Sequence, residues 1–430
     1  MDTVSKKTKE LYDSKKWNEL ISYSNLALKN NVDFYSLRSR LGTAYYKTGK
    51  FLYAIPHFEK ALNDGYEDLE VMKYLYYSYF YSDRTEECNY IFSKFPQSIK
   101  DKIRPANNSF INDINAESVF AFSNDNNKNG NTDLDGTQNI YGEQTLNGNE
   151  FLFTAGLTQM PLDILGIYYD YSYLNQKKTK QIQIDGNKIS DNYNQIQNRF
   201  YNRIDIYAGN GFVISPAGQY VGISYTTVYA SPDSVISDYT YNNSGKNSFT
   251  LSDKQTVLDN FVLSLNLTKY ISVFKLGLNG CYSYLNGFHQ TQTGISVKAF
   301  PSGGVKLYTK TDAALQFQNS ITNLIVTQTF GGRFNKNLST DLFATFGKIN
   351  NFSEQNGYLV YNNNDNITFK TGAEINYFLS GLNIYLMYEY QQREKNYYYY
   401  DSYSFINSSL ITKQSSYQLN SILAGIKYTF

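Results

Sequence analysis

From about residue 116 to residue 430 the chain alternates apolar and polar residues with a period of two. Side chains two apart share a face only in an extended strand, so this single pattern commits most of the chain to β-sheet. In DILGIYYDYSYL, Leu165, Ile167, Tyr169, Tyr171 and Tyr173 form one face, with Gly166, Asp170 and Ser172 on the other. VFKLGLNGCYSY sets Phe274, Leu276, Leu278, Tyr282 and Tyr284 against Lys275, Gly277, Asn279 and Ser283. FKTGAEINYFL and VKLYTKTDAALQF repeat the division. The last ten residues, SILAGIKYTF, place Ile422, Ala424, Ile426, Tyr428 and Phe430 on one face and Leu423, Gly425, Lys427 and Thr429 on the other. A strand that runs to the final carboxylate needs a partner on its open edge, because bare edges template aggregation. Closing the sheet into a barrel supplies that partner.

Alternation alone does not separate a soluble sandwich from a membrane barrel, since each has one apolar and one polar face. Three further features favour the barrel. Many strands run past the ~5–6 residues usual in soluble sheets and suit the ~9–11 that cross a bilayer at a tilt. Short connections are expected at 160–163, 215–218, 268–269, 301–304, 331–332 and 380–381. Long polar stretches fall between several of them, around 124–149, 175–195, 231–257, 351–366 and 391–414, while NGFH and NSIT mark short turns on that same side. Short turns at one end and longer loops at the other are the asymmetry of outer-membrane barrels. The polar faces mix Lys, Asp, Glu and Gly, as a wet lumen would. About fourteen antiparallel strands are expected between ESVFAFS and the end, an even number that returns Phe430 to the side where the barrel began.

Composition fits this reading. The chain has 43 tyrosines and 28 phenylalanines but one tryptophan, and tyrosine suits strands and water–membrane boundaries. No run of eighteen apolar residues occurs, so no transmembrane helix is expected; this says nothing against a barrel. A net charge of +1 gives no electrostatic pull toward nucleic acid. Cys88 and Cys281 form no metal pattern and no disulfide framework. The opening MDTVSKKTKELYDSKK is basic but has no apolar core behind it, so an export signal would lie upstream or have been trimmed.

The first hundred residues have a different period. In LGTAYYKTGKFLYAIPHFEKAL, Leu41, Gly42, Tyr45, Gly49, Phe51, Ala54, Phe58 and Ala61 recur as in a pair of packed helices. Small Gly42 and Ala54 let the helices approach, while Tyr45 and Phe58 fill the space between pairs. Shifting by 34 residues brings Trp17 onto Phe51, Ala27 onto Ala61, Leu75 onto Leu41, Tyr79 onto Tyr45 and Phe92 onto Phe58. The segment resembles the tetratricopeptide-repeat family, strongly in the central repeat, with Thr8 and Tyr76 replacing the first small residue in the outer two. The resemblance implies an α-solenoid of three repeats over 1–102; Pro105 and the Asn residues around it read as a linker over 103–115, and the alternation sets the barrel at 116–430. The resemblance also implies a concave groove in which Glu70, Lys73, Tyr77, Phe80 and Tyr81 meet cargo or a partner. The alternative for Tyr77, Phe80 and Tyr81 is to pack beneath a following helix or the linker. Cys88 reads as an inert buried thiol.

Few residues suggest chemistry. His57 is expected at the surface of the second helix of the central repeat and His289 on an outer loop. A Ser/His or Asp/His hydrolase would have to rest on His289, and no catalytic residues are expected. In SNDNNKNGNTDLDG, Asp125, Asn127 and Asn129 precede Gly130, with Asp133 and Asp135 beyond, as in the early positions of a calcium loop. The twelfth position is Gly136 rather than a bidentate Glu, and such residues also fill plain turns. NYYYYDSYSF, residues 396–405, is expected at the top of a long strand, as an exposed patch or as an inward plug. GIKYTF resembles the terminal strand signal of bacterial outer-membrane proteins in Gly425, Tyr428 and Phe430, with Leu423 where a polar residue is usual. That resemblance implies recognition by the barrel-assembly machinery. Helical repeats followed by a barrel resemble surface lipoprotein assembly modifiers and exporters of poly-N-acetylglucosamine. This architecture implies a bacterial outer-membrane protein with its repeats in the periplasm, exporting a peptide, protein or glycan cargo. The competing readings are a plugged scaffold that docks periplasmic partners and a soluble sandwich.

Overall fold

The computed structural model describes residues 2–63, 68–82, 84–103, 111–123, 141–184, 187–232, 249–362, 365–400 and 410–430. The expected calcium ligands Asp125, Asn127, Asn129, Asp133 and Asp135 lie outside these residues, as do residues 401–405 of the tyrosine run.

Among the described residues seven helices come first: α1 (Asp2–Asp13), α2 (Trp17–Lys29), α3 (Tyr35–Lys47), α4 (Phe51–Asn63), α5 (Leu69–Phe80), α6 (Thr85–Ser93) and α7 (Gln97–Ile103). The first six pack as successive hairpins that start at Asp2, Tyr35 and Leu69, 33 and 34 residues apart. Gly42 is where it must be: a Cβ there would stand 2.6 Å from the Phe58 ring, which is fully buried. Phe58 lies in one apolar cluster with Leu52, Ala54, Ile55, Leu75, Tyr76, Tyr79 and Cys88. Asp68 starts α5 as an N-cap, its carboxylate accepting from Glu70 N and Val71 N at 2.8 and 3.2 Å.

The remaining chain forms β1 (Ile111–Phe122), β2 (Tyr141–Leu162), β3 (Leu165–Ile184), β4 (Asn187–Gly209), β5 (Phe212–Pro232), β6 (Phe249–Ile271), β7 (Phe274–Leu285), β8 (Phe288–Ala299), β9 (Tyr308–Gln318), β10 (Ile321–Arg333) and β11 (Leu338–Ile349). After two short strands, β12 (Phe352–Glu354) and β13 (Leu359–Tyr361), come β14 (Asn366–Leu379), β15 (Leu382–Tyr400) and β16 (Leu410–Thr429). Fourteen of these close into an antiparallel barrel, and β12 and β13 form a separate two-stranded sheet. β1 begins at Ile111, inside the segment expected to be linker. The question posed by the last strand is answered here: β16 pairs with β1 from Asp113↔Thr429 to Phe122↔Asn420, and Phe430 N donates to Asn112 O at 3.0 Å.

The period-two faces sort as the sequence predicts. Ile422, Ala424, Ile426 and Tyr428 are exposed on the outer wall, with Tyr169, Tyr171, Leu278, Leu324, Phe330 and Ile375. Their alternates point inward. Strand walls are uneven: β2–β6 run 20–23 residues, whereas β7–β11 run 11–13.

Several expected connections lie elsewhere. Residues 215–218, 268–269 and 331–332 are inside β5, β6 and β10, and the actual turns are at 210–211, 272–273 and 334–337. Pro216 and the glycines read as turn formers, but Gly331 stands directly across from Tyr308, whose ring needs the missing side chain's space. Of the polar stretch 175–195, residues 175–184 and 187–195 belong to β3 and β4, which stay paired from Leu165↔Ile206 to Ile184↔Asn187. The short turns at 286–287 and 319–320 are as expected. Asn286 and Gly287 have φ of 53° and 83°, the left-handed pair that suits a tight hairpin.

Candidate functional site: the barrel lumen and its hairpin

In the stretch 351–366, expected as an outer loop, the described residues 351–362 instead turn into the barrel. Phe352–Glu354 pairs with Leu359–Tyr361, and Gln355, Asn356 and Gly357 turn the tip with φ of 52°, 59° and 80°. The hairpin reaches nearly every wall. Tyr358 Oη donates to Glu117 on β1 at 3.2 Å and lies 3.5 Å from Asp170 on β3. Its ring packs against Tyr201 and Tyr168, with centroids 5.2 and 6.1 Å away. Asn356 Nδ2 donates to Ser215 O at 2.9 Å, and Asn362 meets Gln197 at 2.9 Å. Val360 packs with Val262, Cys281 and Leu285, and Phe352 and Tyr361 pack with Ile325, Ile349 and Ile367. Cys281 Sγ is 3.1 Å from Ser353 Oγ.

One ion pair anchors the hairpin to the wall. Lys370 Nζ, 2.7 Å from Glu354 Oε2, also donates to Tyr361 Oη at 2.5 Å. Both ions are shielded, so losing one would leave the other charged and unpaired. The mixed lumen expected from the sequence is present, but around the hairpin it is packed rather than wet: Gln197, Gln316, Ser283 and Thr345 are fully buried.

Below the hairpin tip, acids and phenols interlock. Tyr385 Oη donates to Glu117 at 3.1 Å and Tyr168 Oη to Asp170 at 3.0 Å. Gly425 faces Tyr385 across β15–β16, and a Cβ there would collide with that ring. Gly425 thus has a packing role beside its place in the terminal motif. Tyr428 and Phe430 lie on the outer face at the lower rim, 5.0 Å apart and edge to face.

Above the hairpin the mouth narrows. β15 pairs with β14 only up to Asn366↔Glu394, and its upper residues Tyr398–Tyr400 pair with β2 at Glu143–Tyr141. β15 keeps β16 on its other edge, so the β15–β16 hairpin leans across to reach β2. Asp365 accepts from Tyr417 and from Asn147, each at 2.7 Å, tying three elements together there. Tyr397 of the tyrosine run is buried on the inward side. A hollow of ≈ 490 Å³ elsewhere is lined mainly by outward residues, among them Ile114, Leu157, Tyr169 and Phe200.

The helices dock on the short-turn end. Leu52 N donates to Gly303 O at 2.9 Å, Arg84 lies 4.7 Å over the Tyr270 ring, and Tyr90 packs on Tyr207 at 5.4 Å. Phe300, from the β8–β9 turn, is buried in the helical apolar cluster. The five expected groove residues divide. Tyr77, Phe80 and Tyr81 come together, with Tyr81 4.9 Å from Phe51, whereas Glu70 and Lys73 lie toward the other end of α5. Phe80 is 55% exposed, whereas Tyr77 is partly buried against the helical apolar cluster; residues 104–110 of the expected linker lie outside the described residues. His57 is half-buried rather than superficial, stacked on Tyr45 with Nδ1 2.9 Å from Arg38. Burial, and then Arg38, push its pKa down to about 4. His289 sits at the start of β8, 2.8 Å from Tyr282 Oη on the outer face. Cys88 is buried.

The lining hairpin gave a faint signal in the sequence. Phe352, Leu359, Val360 and Tyr361 are apolar within an otherwise polar stretch and flank an Asn-Gly turn.

The fold and site define a closed fourteen-stranded antiparallel barrel with an internal hairpin and helices on its short-turn rim. No family model matches the chain, and no curated protein matches it. Among solved structures it is similar to a Pseudomonas aeruginosa FadL homologue, with 7% identity, a TM-score of 0.49, and 74% of this chain and 90% of that one covered. The P. putida toluene transporter TodX follows at 8% identity and a TM-score of 0.47, covering 77% and 92%. A KdgM porin gives 12% identity and a TM-score of 0.29, covering 55% and 96%.

Proposed function

We propose that this protein is a bacterial outer-membrane channel, closed at rest by its hairpin, that exports or delivers a polymer or protein cargo to the surface. The carrying observation is that the hairpin fills the lumen through hydrogen bonds, an ion pair and a few apolar side chains, contacts that a cargo chain can replace. The outward apolar belt supports a lipid setting, because exposed apolar surface on this scale is costly in water. On this reading the helices are a tetratricopeptide-like unit in the periplasm. They collect cargo through Tyr77, Phe80 and Tyr81 and hold it at the docked rim, which raises its effective concentration there. The barrel-assembly machinery inserts the chain through its last strand. The protein acts without catalysis or cofactor.

A second reading has one observation in its favour. The full burial of Gln197 and Gln316 around the hairpin suits a permanently plugged scaffold that docks periplasmic partners. Planar-bilayer conductance decides between them. The full chain is expected to be mostly closed, and replacing residues 352–361 by Gly-Gly to give a steady large conductance. The replacement is feasible because Phe352 and Tyr361 are directly paired. A variant that folds as a barrel and still conducts nothing would establish the scaffold.

A further inference from the structure

Beside its side-chain contacts, the hairpin is held to the wall by its main chain. Tyr201 Oη at 3.2 Å and Ser264 Oγ at 2.7 Å both donate to Asn356 O. Gln219 Nε2 donates to Tyr358 O at 3.0 Å, and Gln316 Nε2 donates to Asn350 O and Asn351 O at 2.8 and 3.0 Å. With its amide turned to satisfy both partners, Gln292 donates to Ser353 O at 3.0 Å and accepts from Ser353 N at 3.1 Å, as a neighbouring strand would. These five residues come from β4, β5, β6, β8 and β9, all fixed in the barrel ladder.

Carbonyls projecting along a chain are common to every polypeptide, whereas a neutral glucan presents hydroxyls on stiff rings. A buried donor that loses its acceptor must find another or bear the cost of desolvation. The wall is therefore matched to main chain, and the Tyr168–Tyr201 seat of Tyr358 adds a place for an aromatic side chain.

We propose that the lumen is a track for an extended polypeptide, and that residues 350–362 are its resident occupant, exchanged for the cargo chain during passage. The inference rests on the channel reading and names its cargo class. In the exchange each wall donor passes from a hairpin carbonyl to a cargo carbonyl, so none is stranded.

The test uses the full chain with residues 352–361 replaced by Gly-Gly, in planar bilayers. The probes are a free peptide of the hairpin's own sequence, NNFSEQNGYLVYN, and maltoheptaose. The peptide is expected to interrupt the current and the oligosaccharide to pass without doing so. Gln219→Leu and Tyr201→Phe, whose acceptors Tyr358 O and Asn356 O are removed with the hairpin, should each shorten the peptide blockades by roughly threefold to tenfold, the value of one hydrogen bond. Equal or longer blockades by maltoheptaose, or peptide blockades unchanged by both wall substitutions, would overturn the proposal. Absence of any current from a barrel that shows heat-modifiable gel mobility would instead defeat the channel reading. If the replacement variant does not assemble, Asn356→Gly with Tyr358→Ala in the otherwise intact chain frees the tip, and the same probes and outcomes apply.

Discussion

Phe58 in the helices and Gln316 in the barrel are equally buried, yet one is surrounded by carbon and the other by hydrogen-bond partners. The helical region hides its apolar residues from water. The barrel turns its apolar residues outward and packs Gln, Asn, Ser and a Lys–Glu pair inside. The contrast shows that burial alone does not identify an apolar core; the medium outside decides which face carries the grease. For a wall that faces hydrocarbon, the interior is the place left for polar residues.

The two cores should fail in different ways. The largest effect is expected from Phe58→Ala, which leaves a cavity beneath Gly42 and should destabilise the helices by about 3–5 kcal/mol. Urea unfolding followed by far-ultraviolet circular dichroism would register a lost helical transition while the barrel keeps its heat-modifiable mobility. Joint loss of both would mean that the docked regions fold as one unit. A smaller effect, about 1–3 kcal/mol, is expected from Gln316→Leu, because buried acceptors on the hairpin lose their donor. Here proteolysis within 350–362 should rise and the helical transition should not move. The smallest change concerns acid. His57 has its folded pKa depressed to about 4 by burial, and then by Arg38, so it stays neutral in the fold. An unfolded His binds a proton below pH ~6.5, so its contribution is full above that pH and is lost as pH falls toward 4. His57→Gln should flatten the pH dependence of helical unfolding between those values, and an unchanged slope would assign it to other groups.

The sequence was most legible where periodicity was long. The outward set from Leu165 to Tyr173 and the last strand from Ile422 to Phe430 could be read by twos, and Gly42 could be read as a point of close helix approach, though not that Phe58 is what fills it. Legibility failed where one residue type serves two purposes. Gly331 and Gly332 read as a turn because glycine makes turns, but in β10 Gly331 makes room for Tyr308 across the ladder. Residues 175–184 and 187–195 read as loop because they are polar, yet β3 and β4 keep their ladder there, since main-chain pairing does not require an apolar face. The hairpin was hidden for a related reason: three-residue strands are too short to show a period, and a polar segment inside a polar lumen is composed like a solvated loop.

The central claim is that residues 350–362 sit inside the barrel of the native protein. It is tested most directly by Ser353→Cys, since Ser353 Oγ lies 3.1 Å from the sulfur of Cys281 on the wall. Mild oxidation of the folded variant should join position 353 to Cys281 almost completely, leaving buried Cys88 as the free thiol detected by mass spectrometry. A variant that stays reduced, with position 353 labelled by a maleimide too large to enter the lumen, would place the hairpin outside and contradict the account.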